Sequence, residues 1–161
     1  MANKDQPMGF RPHGEVKEIA VMEAGSACYP GDMVRLAADG QVDPASAGAT
    51  LLGLCLDYAS GAGVKVRVSI SPDQLYVGQA DETQLDAQTD IGQLCDIVAT
   101  GGNSTYKVSR QEVDSSTVGD GAGGQLVIMG LLNKVDNAFG AQAEVIVKIN
   151  EHQLVTGFAG I

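Results

Sequence analysis

The chain predicts an all-β fold, built as small β-barrel or sandwich modules with an extended N-terminal arm and little helix. Three observations carry that expectation. Valine, leucine, isoleucine and alanine alternate with polar residues over short runs, as in Val64–Ile70 and Ala143–Asn150, the period of a half-buried strand. Turn residues interrupt those runs about every 8 to 12 residues. Aromatic content is low, with four Tyr, three Phe and no Trp, while 21 Gly supply turns, so a hydrophobic fraction of 44% must build its core from aliphatic side chains.

Residues 1–24 differ from the rest. Met1–Gly14 mixes Pro, Gly and polar residues around two isolated apolar points, Met8 and Phe10, and buries too little to fold alone. It reads as an extended arm that orders on a neighbouring surface. Met8 and Phe10 would anchor it and Arg11 would pair with a carboxylate. Deleting residues 1–14 should then leave the stability of the fold nearly unchanged.

A first β module is expected over 25–72. Tyr29-Pro30-Gly31-Asp32 opens a turn before a strand at Met33–Leu36, and Asp39-Gly40 marks a hairpin turn because Asp-Gly readily takes positive φ. Val42–Gly48 reads as a loop, Leu51–Tyr58 as a strand, Gly61-Ala62-Gly63 as a turn and Val64–Ile70 as a strand. A second β module packed on the first is expected over 73–161. Its strands would be Gln74–Gln79, Gln93–Ala99, Thr105–Val108, Gln125–Leu132 and Ala143–Asn150, with Asp81–Thr89 as a loop or helical turn. Leu126 and Ile128 on one face, with Val127 and Met129 on the other, suggest that the Gln125–Leu132 strand is buried on both sides. Asn133–Asn137 forms the turn after it, and Asp136, Asn137 and Phe139 are the candidate intersubunit contact, with Phe139 as an apolar plug.

Charge and rare residues exclude several classes of function. Twenty acidic against ten basic residues leave a net charge of −10, with no basic stripe of the kind that phosphate binding requires, so no nucleic-acid partner is expected. No apolar run approaches the roughly 18 residues of a membrane span, and the start lacks a basic region followed by an apolar stretch. Neither a membrane nor a cleaved signal is therefore expected. Cys28, Cys55 and Cys95 lack metal-ligand spacing and read as small buried hydrophobes in a reducing compartment.

Apparent motifs fail on context. Gly119-Asp120-Gly121-Ala122-Gly123-Gly124 matches a dinucleotide-binding pattern in letters, but a strand follows it where a helix is needed. His13 lacks a nucleophile elbow, and His152 lacks the paired helical histidines of a zinc protease, so His152 reads as a structural residue bonded to a turn. Glu112, Asp114 and Asp120 do not alternate as in a calcium loop. Asn103-Ser104-Thr105 is a glycosylation acceptor only in a secreted chain. No catalytic residue, metal or cofactor is expected.

Several segments carry a family resemblance. Gly130–Gly140 (GLLNKVDNAFG) followed by Val147–Leu154 (VKINEHQL) resembles the C-terminal signature of tailed-bacteriophage capsid decoration, or cement, proteins. The opening MANKDQPMGFRPHG and the mid-chain Ser71-Pro72-Asp73-Gln74-Leu75-Tyr76 resemble that family in the same order. Ser71 stands where the family has an acidic residue, and Val135 where it often has Pro. The resemblance implies a non-enzymatic structural protein on the outer surface of the virion, assembled in the host bacterial cytoplasm. It would bind the phage major capsid protein as a homotrimer, with a dimer also open, and stabilise the mature icosahedral head. The rival from another class is a cytoplasmic ligand-binding β-barrel, or an enzyme whose site is built from distant loops.

Overall fold

A computed structural model describes residues 3–81, 85, 88–119 and 123–155. Its regular structure is almost all β, in eleven short strands: β1 (Arg11–His13), β2 (Ile19–Glu23), β3 (Met33–Leu36), β4 (Val42–Pro44), β5 (Gly53–Cys55), β6 (Lys65–Ser69), β7 (Leu75–Gln79), β8 (Leu94–Val98), β9 (Glu112–Asp114), β10 (Leu126–Leu131) and β11 (Glu144–Ile149). They form a five-stranded sheet in the order β2-β6-β5-β3-β4 and a six-stranded sheet in the order β1-β7-β11-β10-β8-β9. All strand pairings are antiparallel, and the two sheets pack together as a sandwich without closing a barrel.

Alternation places the core. In β11 Val145, Val147 and Ile149 are buried while Glu144, Ile146 and Lys148 are partly exposed, as a period of two requires. In β6 Val66 and Val68 point inward between Lys65 and Arg67. Strand β5 is buried throughout. Its neighbourhood splits between two hydrophobic clusters: Leu51 and Leu54, with Met33, join the cluster under the six-stranded sheet, whereas Leu52 and Cys55, with Val34, join that of the five-stranded sheet. The two sheets therefore share β3 and β5 as a common wall.

The N-terminal segment is the main departure from expectation. It is not a free arm. Arg11–His13 pairs with β7 and Ile19–Glu23 pairs with β6, giving each sheet an outer strand. Phe10 is only 2% exposed, and its N–H donates to the Gly31 carbonyl at 2.9 Å. Its ring lies on Gly78, where an added Cβ would sit 2.3 Å from the ring edge. Gly9, at φ +71°, runs so close to Ser109 and the Gly31 carbonyl that a side chain there would collide. The physical reason is burial: one Phe in a fitted slot secures a segment whose other residues are mostly polar.

Three smaller expectations also change. Val42–Pro44 forms a short strand, because the Asp39-Gly40 turn (Gly40 φ +83°) brings Leu36 opposite Val42. Thr105–Val108 is not a strand. It belongs to a turn closed by Asn103, whose side-chain oxygen accepts from the Thr105 and Tyr106 N–H groups. Strand β10 is buried on one face only: Leu126 and Ile128 are covered, but Met129 is 48% exposed, beside a register shift between Ile128 and Gly130. The Asp81–Thr89 stretch lies partly outside the described residues, and its described end, Gln88–Asp90, is a single 3-10 turn.

Candidate functional site

The N-terminal segment and the turn after β10, far apart in sequence, meet at one open groove of about 500 Å³. The cross-strand neighbours β1, β7 and β11 set its floor, with Arg11 opposite Val77 and Gln79 opposite Glu144. Gln79 is a hub for the N-terminal strap. Its Oε1 accepts from the Gln6 N–H at 3.0 Å, and its Nε2 donates to the Lys4 carbonyl at 2.5 Å and to the Gln142 carbonyl at 3.1 Å. Asn3 fastens the strap to the far rim, donating to the Ala138 and Ala141 carbonyls and accepting from the Ala138 N–H.

Glu144 is the electrostatic centre of the groove. One carboxylate oxygen accepts from Arg11 Nη2 at 2.9 Å and the other from Lys134 Nζ at 2.5 Å. Partial burial pushes its carboxyl up, but the hydrogen bonds from Lys134 and Arg11 and their charges outweigh this and hold it below the usual Glu range. Lys4 adds a third cation to the lining, against Asp136 as the second carboxylate. On a chain of net charge −10 this makes a locally basic recess. Two exposed apolar side chains stand at its edge, Met8 at 62% and Val135 at 83%.

Side-chain hydrogen bonds tie the turn to the strands on either side. Asn137 donates through Nδ2 to the Leu132 and Glu144 carbonyls and accepts through Oδ1 from the Glu144 N–H, all within 2.8–2.9 Å. That side chain replaces the backbone rungs lost where the strands splay. Asp136 takes a left-handed conformation at φ +62°, which Asp tolerates better than most residues.

Of the residues singled out in the sequence, Met8, Arg11, Asp136 and Asn137 line this groove together. Phe10 and Phe139 do not. Phe10 fills the protein's own core and so is not an anchor on a neighbour. Phe139 is half-buried against the same core cluster and does not project as a plug. Asn137 lines the groove, but its amide is spent on the turn. Glu144, Lys134 and Gln79 were missed. Each looks like the polar member of an alternating strand or turn, and only register shows that they converge.

The groove lining contains no His, Cys or Ser; its ionisable side chains are Lys4, Arg11, Lys134, Asp136 and Glu144. Among the described residues no group of three or more His, Cys, Asp or Glu is arranged to hold a metal ion. No helix among them is long and apolar enough to cross a membrane. A smaller hollow of about 230 Å³ beside Tyr29 and Gly102 reaches Asp32. Burial pushes that carboxyl up, partly countered by hydrogen bonds from Ser109 and the Tyr29 N–H, and Asp32 serves there to close the Tyr29–Asp32 turn. Neither a comparison with protein-family models nor one with characterised proteins finds a match to this chain. The groove therefore has to be read from its own geometry.

Proposed function

We propose that this chain is a non-enzymatic decoration protein that binds the outer surface of a tailed-phage head, using the groove between its N-terminal strap and the Asn133–Asn137 turn as its contact with the major capsid protein. The observation that carries the reading is the convergence of Met8 and Arg11 with Asp136 and Asn137 on one open, locally basic recess. The segments that resemble the decoration family at the two ends of the chain are the segments that build it.

The arrangement suits adhesion. Strap and turn are held by side-chain to backbone hydrogen bonds, so little conformational entropy is lost on contact. Met8 and Val135 provide apolar area to bury, and the Lys4, Arg11 and Lys134 charges favour an acidic stretch of coat protein and set its orientation. Binding only the mature lattice stabilises that lattice by mass action, and linking copies, as in the homotrimer the resemblance implies, multiplies weak contacts into high occupancy.

The test is reconstitution. Purified chain is added to expanded heads that lack decoration protein, and occupancy is read by co-sedimentation and cryo-electron microscopy. Wild-type chain should saturate the exterior. Met8→Asp and Val135→Asp, both at exposed positions, should lower apparent affinity at least tenfold without changing the melting temperature. Absence of exterior density, or full occupancy by the double variant, would overturn the reading.

A further inference from the structure

The two sheets end in four edge strands, and the fold guards three of them. β4 carries Pro44 and is bridged on its outer side by Ala24, with the Gly25 N–H donating to the Val42 carbonyl at 2.9 Å. Val113 of β9 is bridged by Ala80, and the Asp81 N–H donates to its carbonyl at 3.0 Å. β1 is three residues long with Pro12 at its centre. Short strands, prolines and covering segments are the means by which folds stop an edge from recruiting another chain. β2 has none of them. Its five residues, Ile19-Ala20-Val21-Met22-Glu23, contain no proline, and among the described residues no strand pairs with its outer side.

Register shows which way the β2 backbone points. The Ile70 N–H donates to the Glu18 carbonyl and the Ala24 N–H to the Val64 carbonyl. With Ala20 opposite Val68 and Met22 opposite Val66, the even-numbered residues therefore bond to β6. The N–H and C=O groups of Ile19 and Val21 alternate with them and face the open side. The same two residues carry exposed β-branched side chains, Ile19 at 49% and Val21 at 68%.

We propose that β2 pairs antiparallel with β2 of a second copy of this chain, about a two-fold axis at Ala20, so that two five-stranded sheets join into one. The occupant is a second copy because the strand complements itself in this register. Ile19 of each copy falls opposite Val21 of the other, and each such pair exchanges two main-chain hydrogen bonds. Lys17 of each copy arrives at Glu23 of the other. Lys17 is exposed and makes no ion pair among the described residues, while Glu23 engages only one carboxylate oxygen, with Gln41 Nε2 at 2.6 Å. Glu18, at φ +45°, turns the chain just before the strand, a step that a lysine side chain is long enough to span. Moving the axis to Val21 keeps the hydrogen bonds but sets Ile19 against Glu23, losing both the apolar and the charge match. No β2 residue lines the groove, so both grooves of the pair stay open, and the pairing holds whether or not the groove binds coat protein.

The experiment is sedimentation velocity on the purified full-length chain at physiological salt, where repulsion between chains of net charge −10 is screened beyond about 8 Å. The expected result is a concentration-dependent monomer–dimer equilibrium. Val21→Lys, at an exposed position on the open edge, should weaken dimerisation by about tenfold or more with an unchanged far-UV circular dichroism spectrum. Glu23→Lys alone should also weaken it, and adding Lys17→Glu should restore it. Ala20→Cys places two thiols across a non-hydrogen-bonded pair with Cα atoms about 4.5 Å apart, within disulfide reach. That variant should cross-link into a covalent dimer under mild oxidation, and wild type should not. Should Val21→Lys fold poorly, the charge exchange and the cross-link decide. A chain that stays monomeric up to about 1 mM, an oligomer that Val21→Lys leaves intact, or charge exchange without rescue would overturn the proposal. So would a strand of coat protein occupying β2 on assembled heads in place of a second copy.

Discussion

Phe10 shows how far one side chain redirects a segment. Beside Arg11-Pro12 in a polar stretch, it looks like an anchor for another surface. In the fold it is 2% exposed against Gly78, a position kept free of a Cβ by the ring itself. Phe10→Ala should therefore destabilise the protein by about 3–5 kcal/mol, measured as a fall in the denaturant midpoint, and Gly78→Val should be comparably damaging because its side chain would enter the ring. His152 is the second informative residue. It is 2% exposed, its Nδ1 accepts from the Leu154 N–H at 3.1 Å, and its Nε2 has no well-aligned partner. Burial lowers its pKa from 6.5, partly opposed by the Ile70 and Leu52 carbonyls. The unfolded chain then binds a proton that the native chain resists. Stability should be unaffected by this group above pH 6.5 and should decline as pH falls below it, down to the lower folded pKa. Equilibrium unfolding of wild type and His152→Gln across that window checks this, and the variant should lose the slope. Glu144, with an ordinary pKa of 4.5 and a lower folded one, adds a further loss only in more acid solution.

At the scale of elements, β1 and β2 decide the role of the N-terminus. Their pairings with β7 and β6 are long-range and could not be read from residues 1–24, which carry weak alternation and no hairpin turn to a partner. The expectation that deletion of residues 1–14 spares stability is replaced by its opposite. Removing β1 and Phe10 uncovers the β7 edge and the slot on Gly78, so the truncated chain should melt well below wild type, a drop readable by calorimetry. Elements defined by local signals fared differently. The Asp39-Gly40 hairpin, the Val64–Ile70 and Ala143–Asn150 alternations and the Gly61–Gly63 turn all stand where their residues put them. Thr105–Val108 failed because the Asn103 side chain captures the backbone of a turn there.

Across the whole molecule, β3–β6 belong to the five-stranded sheet and β7–β11 to the six-stranded one. Yet the larger cluster joins Met33 and Leu54 of the five-stranded sheet, with Leu51 just before β5, to residues of β10 and β11. A shared core couples the two halves. Leu54→Ala should lower the stability of both sheets together, with one unfolding transition by far-UV circular dichroism and by tyrosine fluorescence. Two separated transitions would show that the halves unfold independently.

The amino-acid sequence by itself determined the all-β class, most strand positions, the burial of all three cysteines and the structural character of His152, because period-two alternation, Asp-Gly turns and apolar runs act over a few neighbouring residues. It also pointed to Met8, Arg11, Asp136 and Asn137. Only the tertiary structure decided that these four share one groove, that Glu144 joins Arg11 to Lys134 and that Phe10 belongs to the core. Those relations depend on antiparallel register between strands distant in the chain, and register is set by how the whole set of buried side chains packs, which no local window of residues contains.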